Sequence, residues 1–240
     1  MKPRWRKAVL LSLLSVAVVF GGLVAAWRLS GSRTLQLFGE LVTSVPVSDS
    51  VVALTFDDGP VPVYTDTVLA LLRREDVHAT FFVTGNSVAR YPDLARTIIE
   101  EGHELGNHSY SHQRMVLMSP STIRQEVEVT DSLIRAAGAT GPIHFRPPYG
   151  KRLIVLPWYL SRTDRATVLW SLEPDSWFSR HTDMVRHVVD NVQPGSIILL
   201  HVEIPSRAEG REALPMMIRE LKQRGYRFAT ISELRALSRS

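Results

Sequence analysis

Cysteine is absent from the sequence. This absence excludes disulfide bonds, a thiol nucleophile and every metal site that is built on cysteine. A metal bound by this chain would therefore need histidine and carboxylate ligands. Hydrophobic residues make up 45% of the chain and charged residues 22%, which is ordinary for a globular protein and gives no sign of disorder.

Most of the chain also lacks an excess of charge of either sign. The formal net charge is +4, but the first seven residues alone contain Lys2, Arg4, Arg6 and Lys7 and no acid. Without them the chain has 24 basic and 24 acidic residues, whereas a nucleic-acid-binding protein usually spreads positive charge over a folded face. We therefore predict no nucleic-acid partner and interpret the basic arm as part of a membrane signal.

One long apolar segment follows the basic arm. Residues 8–27 carry no charge and, at about 1.5 Å per residue, would span roughly 30 Å as a helix, the thickness of a bilayer's hydrocarbon core. The preceding basic residues predict a cytoplasmic N-terminus, and Trp5 and Trp27 flank the span where interfacial aromatics are common. The alternative is a secreted protein whose signal peptide is cleaved near Ala25 and Ala26.

The remainder of the chain is predicted to form a lead-in and one α/β domain. Short β-rich segments alternate with longer helical patterns, which indicates a mostly parallel sheet covered by helices. About seven strands could close into a barrel, and within the lead-in Leu35–Val42 is a candidate short helix. The predicted division is a basic cytoplasmic arm at 1–7, a transmembrane signal-anchor at 8–27, a linker at 28–48 and the main domain at 49–240.

Residues whose side chains could bind a metal, move protons or contact a substrate follow five of the predicted strands. Because loops after the strands of an α/β barrel share one face, five separate motifs would meet there. The motifs are Asp57-Asp58-Gly59-Pro60, His108 with His112, Arg146-Pro147-Pro148-Tyr149-Gly150, Asp175 with Trp177, and His201.

These residue types suit metal and proton chemistry. Adjacent carboxylates repel each other unless they share a cation or a proton, so one aspartate can bind a metal while the other handles a proton. Histidines four residues apart can share a metal, and with one aspartate they leave positions open for water and substrate. A histidine at the catalytic rim is a candidate general acid. Taken singly, the acidic turn could be a solvated turn and His201 a satisfied core residue.

Together the motifs resemble those of the NodB-homology polysaccharide deacetylases, carbohydrate esterase family 4. Thr55-Phe56-Asp57-Asp58-Gly59-Pro60 is similar to the first family motif, and His108-Ser109-Tyr110-Ser111-His112 to the histidine motif. The segments 146–150, 170–177 and 199–201 resemble the third, fourth and fifth motifs. The resemblance covers about residues 50–237 in the family's order, and it implies a distorted (β/α)7 barrel of the NodB-homology type behind an N-terminal transmembrane helix.

The resemblance implies a metal centre and an acid–base pair. Asp58, His108 and His112 would bind a divalent metal, most commonly Zn²⁺, with Co²⁺, Ni²⁺ or Mn²⁺ as alternatives. Asp57 would be the general base for the attacking water, and His201 would protonate the leaving amine.

The remaining roles concern positioning and the substrate. Arg146 would hold Asp57 in its charged form, and the backbone N–H of Tyr149 would stabilise the oxyanion. Trp177 and Leu199 would line the acetyl pocket, and Pro148 would also contact the substrate.

One motif departs from the family pattern and several questions stay open. Ser176 stands where relatives often have aspartate before the tryptophan, and Asp175 or Glu173 could substitute for it.

The expected reaction releases acetate from N-acetylated sugars of peptidoglycan, a chitin-like oligomer or an exopolysaccharide outside the cytoplasm. The alternatives are an O-acetyl polysaccharide esterase and an inactive, anchored glycan-binding protein.

Overall fold

The computed structural model describes residues 4–238. Helix α1, Arg4–Ser30, contains the long apolar segment. Its Val9–Ser30 portion is long and apolar enough to cross a membrane, with a mean hydropathy of 2.5, and its most apolar window is not buried against the protein. A membrane span and a signal sequence share these properties.

Within residues 4–238 the chain forms seven strands and nine helices, with short 3-10 turns at Pro148–Gly150 and Pro174–Ser176. The strands are β1 (Leu41–Val42), β2 (Val51–Asp57), β3 (Thr80–Val83), β4 (Glu104–Asn107), β5 (Thr167–Val168), β6 (Ile197–Leu200) and β7 (Arg227–Ala229). The helices after α1 are α2 (Tyr64–Glu75), α3 (Gly85–Arg90), α4 (Pro92–Glu100), α5 (Pro120–Ala136), α6 (Val155–Arg162), α7 (His181–Asn191), α8 (Ala208–Gln223) and α9 (Ile231–Leu237).

The strand pairings are parallel and form a ring. β2 pairs with β3 and β6, β3 pairs with β4, and β7 pairs with the first residues of β2. Single parallel bridges complete the ring, because Phe145 bridges to Asn107 and Thr167, and Leu172 bridges to Ile198. The predicted parallel α/β fold is confirmed. Single bridges replace continuous ladders at these positions, so the ring has the connectivity of a distorted barrel.

The central strands are buried on both faces. All seven residues of β2 and all four of β6 are buried, as expected for parallel strands with helices on one side and side chains filling the ring on the other. Leu72, Ile98 and Ile218 belong to the cluster that packs the helices on the sheet, and Phe82 and Leu199 belong to a second cluster. The polar ends of these strands are therefore held on a rigid scaffold.

Helix boundaries follow the local signals in the sequence. The hydroxyl of Ser119 accepts a hydrogen bond from the Thr122 N–H at 3.2 Å, and Pro120 occupies the first position of α5. Gly102, with a φ of 84°, lies just after the end of α4, where glycine commonly terminates a helix.

Three features of the structure differ from the sequence-based predictions. The short helix predicted over Leu35–Val42 is wrong, because this segment bends and ends in β1, where the Val42 carbonyl accepts a hydrogen bond from the Leu169 N–H. The pairing of β1 with β5 supplies hydrogen bonds that an isolated short helix would lack. Helices α3 and α6 were not predicted.

Candidate active site

The two adjacent aspartates lie at the carboxyl end of β2. Asp57 is the last residue of the strand, and Asp58 follows with a φ of 77°, a backbone conformation that is strained for a residue other than glycine. A Cβ atom at Gly59 would lie 2.0 Å from Oε2 of the buried Glu203, so any larger residue there would have to displace that side chain. The acidic motif is thus a tightly packed turn and not a solvated one.

Arg146 holds Asp57 from inside the ring. Its Nη1 donates to Oδ1 of Asp57 at 2.7 Å and to Oγ1 of Thr55 at 2.9 Å. Its other nitrogens donate to the carbonyl oxygens of Val168 and Leu169. Because Arg146 and Asp57 are both buried, the pair is shielded from solvent and the carboxylate is fixed in position.

His108 presents one ring nitrogen to the two aspartates. Its Nδ1 lies 2.8 Å from the carbonyl oxygen of Arg146, which can only accept, so Nδ1 carries the proton. Burial lowers the pKa of His108 and favours its neutral form, although both aspartates act in the opposite direction. Nε2 then has a free lone pair, 3.5 Å from Oδ1 of Asp58 and 3.6 Å from Oδ2 of Asp57.

Asp58 and His112 complete this cluster of carboxylate and imidazole groups. Nε2 of His112 lies 2.9 Å from Oδ1 of Asp58, yet among the described residues this buried oxygen has no partner in hydrogen-bonding geometry. Burial disfavours the charged carboxylate, but the nearby imidazoles of His112 and His108 outweigh it and lower the pKa of Asp58 to about 2. Neutral His108 directs the lone pair of its Nε2 at this ionised carboxylate from 3.5 Å, a repulsion that a cation between the two groups would relieve.

The donor set fits a divalent cation. One ligand atom from each of Asp58, His108 and His112 lies within 4.8 Å of the others. Two imidazoles and one carboxylate are the ligands of open catalytic zinc sites, and the contact of His108 with a backbone carbonyl is the usual outer support of a ligating histidine.

A partly buried carboxylate, that of Glu126, organises the loop between His108 and His112. Oε2 of Glu126 accepts hydrogen bonds from the backbone N–H groups of Tyr110 and Ser111 at 2.9 and 2.8 Å, and Oε1 accepts from the Ser111 hydroxyl. The side chain of Asn107 accepts from the Ser109 N–H at 2.8 Å. These bonds hold the left-handed backbone conformation of Ser109, which has a φ of 66°.

His201 is oriented by Asp175. Oδ2 of Asp175 accepts from the His201 backbone N–H at 2.7 Å, and Nδ1 of the ring lies 3.3 Å from both carboxylate oxygens. Burial disfavours the charged ring, but the hydrogen bond to Asp175 and the surrounding aspartates raise the pKa of His201 to about 9. Ser176 instead donates to Glu173 at 2.7 Å. Asp175 is therefore the carboxylate beside His201.

The other predicted site residues differ in their exposure to solvent. Tyr149 has a φ of 58°, is half-exposed, and its ring contacts that of His112 in a tilted arrangement with centroids 4.8 Å apart. Trp177 is 72% exposed, whereas Pro148 is buried and Leu199 lies in the core with no exposed surface. The structure thus joins Tyr149 to the histidine cluster but gives Leu199 no accessible surface.

The ring of parallel strands and the carboxylate–histidine centre at its carboxyl ends define an α/β enzyme. Residues 44–165 match the polysaccharide deacetylase family. A peptidoglycan-N-acetylglucosamine deacetylase of Bacillus cereus is 37% identical over 206 residues, which cover 84% of this chain and 96% of that protein. The chain therefore belongs to the polysaccharide deacetylase family, as predicted from its motifs, and is a polysaccharide deacetylase.

Solved structures agree with this assignment. A crystal structure of a peptidoglycan N-acetylglucosamine deacetylase superposes with a TM-score of 0.76 at 31% identity, covering 80% of this chain and 91% of that one. A family 4 acetyl xylan esterase from Clostridium thermocellum, solved in complex with a cobalt ion, superposes with a TM-score of 0.71 at 37% identity, covering 78% and 91%.

Two supporting residues were not predicted from the sequence. Glu126 lies on α5, 15 residues after Ser111 in the turn it organises, and no local pattern indicates its role. Glu203 follows His201 by two residues, but only the structure shows its contact with Gly59 and its hydrogen bond from Thr65.

Proposed function

We propose that this protein is a metal-dependent hydrolase that removes N-acetyl groups from GlcNAc- or MurNAc-type sugars of a cell-envelope glycan. The observation that carries the proposal is the convergence of Asp58, His108 and His112 beside the Asp57–Arg146 pair. The relative from Bacillus cereus is named for its action on peptidoglycan N-acetylglucosamine, which favours peptidoglycan as the substrate.

Asp58, His108 and His112 would hold the divalent metal. Zn²⁺ is our first assignment, because two imidazoles and one carboxylate suit it, and Co²⁺, Ni²⁺ and Mn²⁺ suit the same ligands. A divalent cation bound there would supply Lewis-acid chemistry, polarising the acetyl carbonyl and making water a usable nucleophile near neutral pH.

Asp57 and His201 would move the protons. Arg146 binds Oδ1 of Asp57 and fixes its carboxylate in the site, so Asp57 can take a proton from the attacking water. Asp175 binds the Nδ1 side of His201 and leaves its Nε2 to give a proton to the departing amine. The raised pKa of His201 keeps the ring charged near neutral pH, as a general acid requires.

The substrate would be held between the turn after Arg146 and the loop after β5. The backbone N–H of Tyr149, in a left-handed conformation beside His112, would donate to the developing oxyanion. We assign Trp177 and Pro148 to contacts with the substrate. Leu199 could reach the acetyl methyl group only as the floor of a pocket that opens when the substrate binds.

We further propose that the catalytic domain works outside the cytoplasmic membrane. Helix α1 would be the single-pass anchor, with residues 1–7 in the cytoplasm, 28–48 as the lead-in and 49–240 as the catalytic domain. A cell-envelope polymer is the substrate that an enzyme in this position would meet.

Acetate release from N-acetylglucosamine oligomers and from peptidoglycan, measured on the full chain in detergent, tests the proposal. We expect release with Zn²⁺ and at least a hundredfold loss with a chelator or with Asp57→Asn, from the usual size of acid–base and metal contributions. Asp190→Asn, which changes an exposed acid on α7, should match the wild type. Wild-type rates in Asp57→Asn would disprove its assignment as the base.

A second candidate activity is the removal of O-acetyl groups. The 37% identity to an acetyl xylan esterase favours it, because the same site could attack an ester. Acetylated xylan assayed beside N-acetylglucosamine oligomers would separate the two, since an esterase would release acetate from xylan at a rate that the oligomers do not approach.

A further inference from the structure

The end of helix α1 is fastened to the catalytic domain by one buried arginine. The backbone N–H of Arg152 donates to the carbonyl oxygen of Ser30 at 2.9 Å, and its guanidinium donates to the carbonyl oxygen of Ser32 at 2.7 Å. The same guanidinium donates to the side chain of Gln36 at 2.9 Å and to the carbonyl oxygen of Gly150 at 3.0 Å. Arg152 therefore ties the first residues after the helix to the 148–150 turn.

A second contact lies closer to the membrane-crossing segment. Nζ of Lys151 is 4.2 Å from the centre of the Trp27 ring, a cation–π distance. The Ser30 hydroxyl donates to the carbonyl oxygen of Trp27 at 2.7 Å and is buried. The apolar helix thus meets the domain directly, without a flexible spacer.

An exposed apolar patch adjoins this junction. Its five side chains are between 41% and 64% exposed, which is unusual for large apolar residues grouped together. We call it the junction patch, and its members are Leu35, Leu37, Phe38, Ile154 and Trp158.

The two segments of the junction patch form one surface. A Cβ atom on Gly39 would lie 3.0 Å from Cβ of Ser161, so the 35–39 loop touches α6. Ile154, Trp158 and Ser161 are spaced by four and three residues, which places them on one face of that helix. Ile154 of the patch follows Arg152, the residue that binds the end of α1, by two residues.

We propose that the junction patch rests in the interfacial layer of the same bilayer that α1 crosses, so that the catalytic domain lies against the membrane. This inference rests on the proposed anchoring of the chain. Tryptophan and large aliphatic side chains favour the interface, and the exposed Arg28 and Arg33 near the helix end, together with Lys151, suit anionic headgroups.

Docking of the domain on the membrane would limit which glycans the active site can contact. Tyr149 precedes Lys151 by two residues, so their Cα atoms are at most about 7 Å apart. The catalytic turn is therefore held near the headgroups, and the accessible glycans are those next to the membrane, including chains still attached to lipid.

The absence of cysteine permits a clean test with the full chain. Phe38→Cys and Trp158→Cys would each carry an environment-sensitive fluorophore, and Met216→Cys on α8, another exposed apolar position, would be the matched control. The labelled proteins would be reconstituted into vesicles of phosphatidylethanolamine and phosphatidylglycerol. We expect blue-shifted emission and several-fold stronger quenching by brominated lipid at positions 38 and 158 than at 216.

Flotation and activity separate this inference from the function it rests on. Quenching by aqueous iodide would also be measured at each labelled position. If the chain floats with vesicles but iodide reaches the labels at 38 and 158 as easily as the label at 216, docking of the patch is overturned and the anchor stands. A chain that does not float with vesicles would overturn both. Acetate release from soluble oligomers is measured on the same samples, so a failed deacetylase assignment appears independently.

Discussion

Replacing Asp175 by asparagine should slow the enzyme in a pH-dependent way. The pKa of His201 is about 9 in place of 6.5, and Asp175 is the main group that raises it against the cost of burial. Asparagine keeps the shape but removes the charge, so the pKa should fall to about 6.5 or lower. At pH 8 the protonated fraction of His201 would drop from about nine-tenths to a few per cent. The population able to act as a general acid would therefore fall about 30-fold.

The assay is kcat/KM for acetate release between pH 6 and pH 9. We expect Asp175→Asn to be about 10- to 100-fold slower than the wild type at pH 8 and only a few-fold slower at pH 6. Ser176→Ala, which loses only the bond to Glu173, is the matched control and should follow the wild-type profile. An equal loss at every pH would refute the reasoning, because it would show that Asp175 does not act through the proton on His201.

Three further substitutions test the supports of the site. Arg146→Lys should lower the unfolding free energy by about 3–5 kcal/mol in urea titrations, since buried partners lose their hydrogen bonds; a change below about 1 kcal/mol would contradict this. Glu126→Ala should weaken Zn²⁺ binding about 10- to 100-fold in competition dialysis, because it removes all three hydrogen bonds that hold the backbone between the two histidines. Burial raises the pKa of Glu203 to about 8, so between about pH 4.5 and 8 only the unfolded chain releases this proton, and stability falls as pH rises by about 1.4 kcal/mol per unit. Glu203→Gln should remove that slope from unfolding measured at pH 5 and pH 8, and an unchanged slope would exclude this source.

The order of the elements could be predicted because each signal is local. The apolar strands β2 and β6, the Ser119 cap and the terminating Gly102 all act within a few residues. The turn motifs also led to the family, since the residue types and their order are specific. Short elements were harder: β1 exists only because it pairs with β5, a partner more than a hundred residues away.

The supports of the candidate site escaped prediction for a related reason. Arg152 is an ordinary basic residue in the sequence, and its burial follows from carbonyl oxygens contributed by a distant segment. The sequence left Asp175 and Glu173 as equal candidates for the carboxylate in the fourth motif. Only the placement of β6 beside that loop brings Asp175 to His201.

Arg146 contacts the site through both its side chain and its backbone carbonyl, and a substitution removes only the side-chain contact. Its guanidinium binds Asp57, while its backbone carbonyl fixes the tautomer of His108. A side-chain replacement removes the first contact and leaves the second in place, so scanning variants would report Arg146 as a partner of Asp57 alone. Its link to His108 belongs to the backbone carbonyl, which no side-chain replacement at position 146 removes.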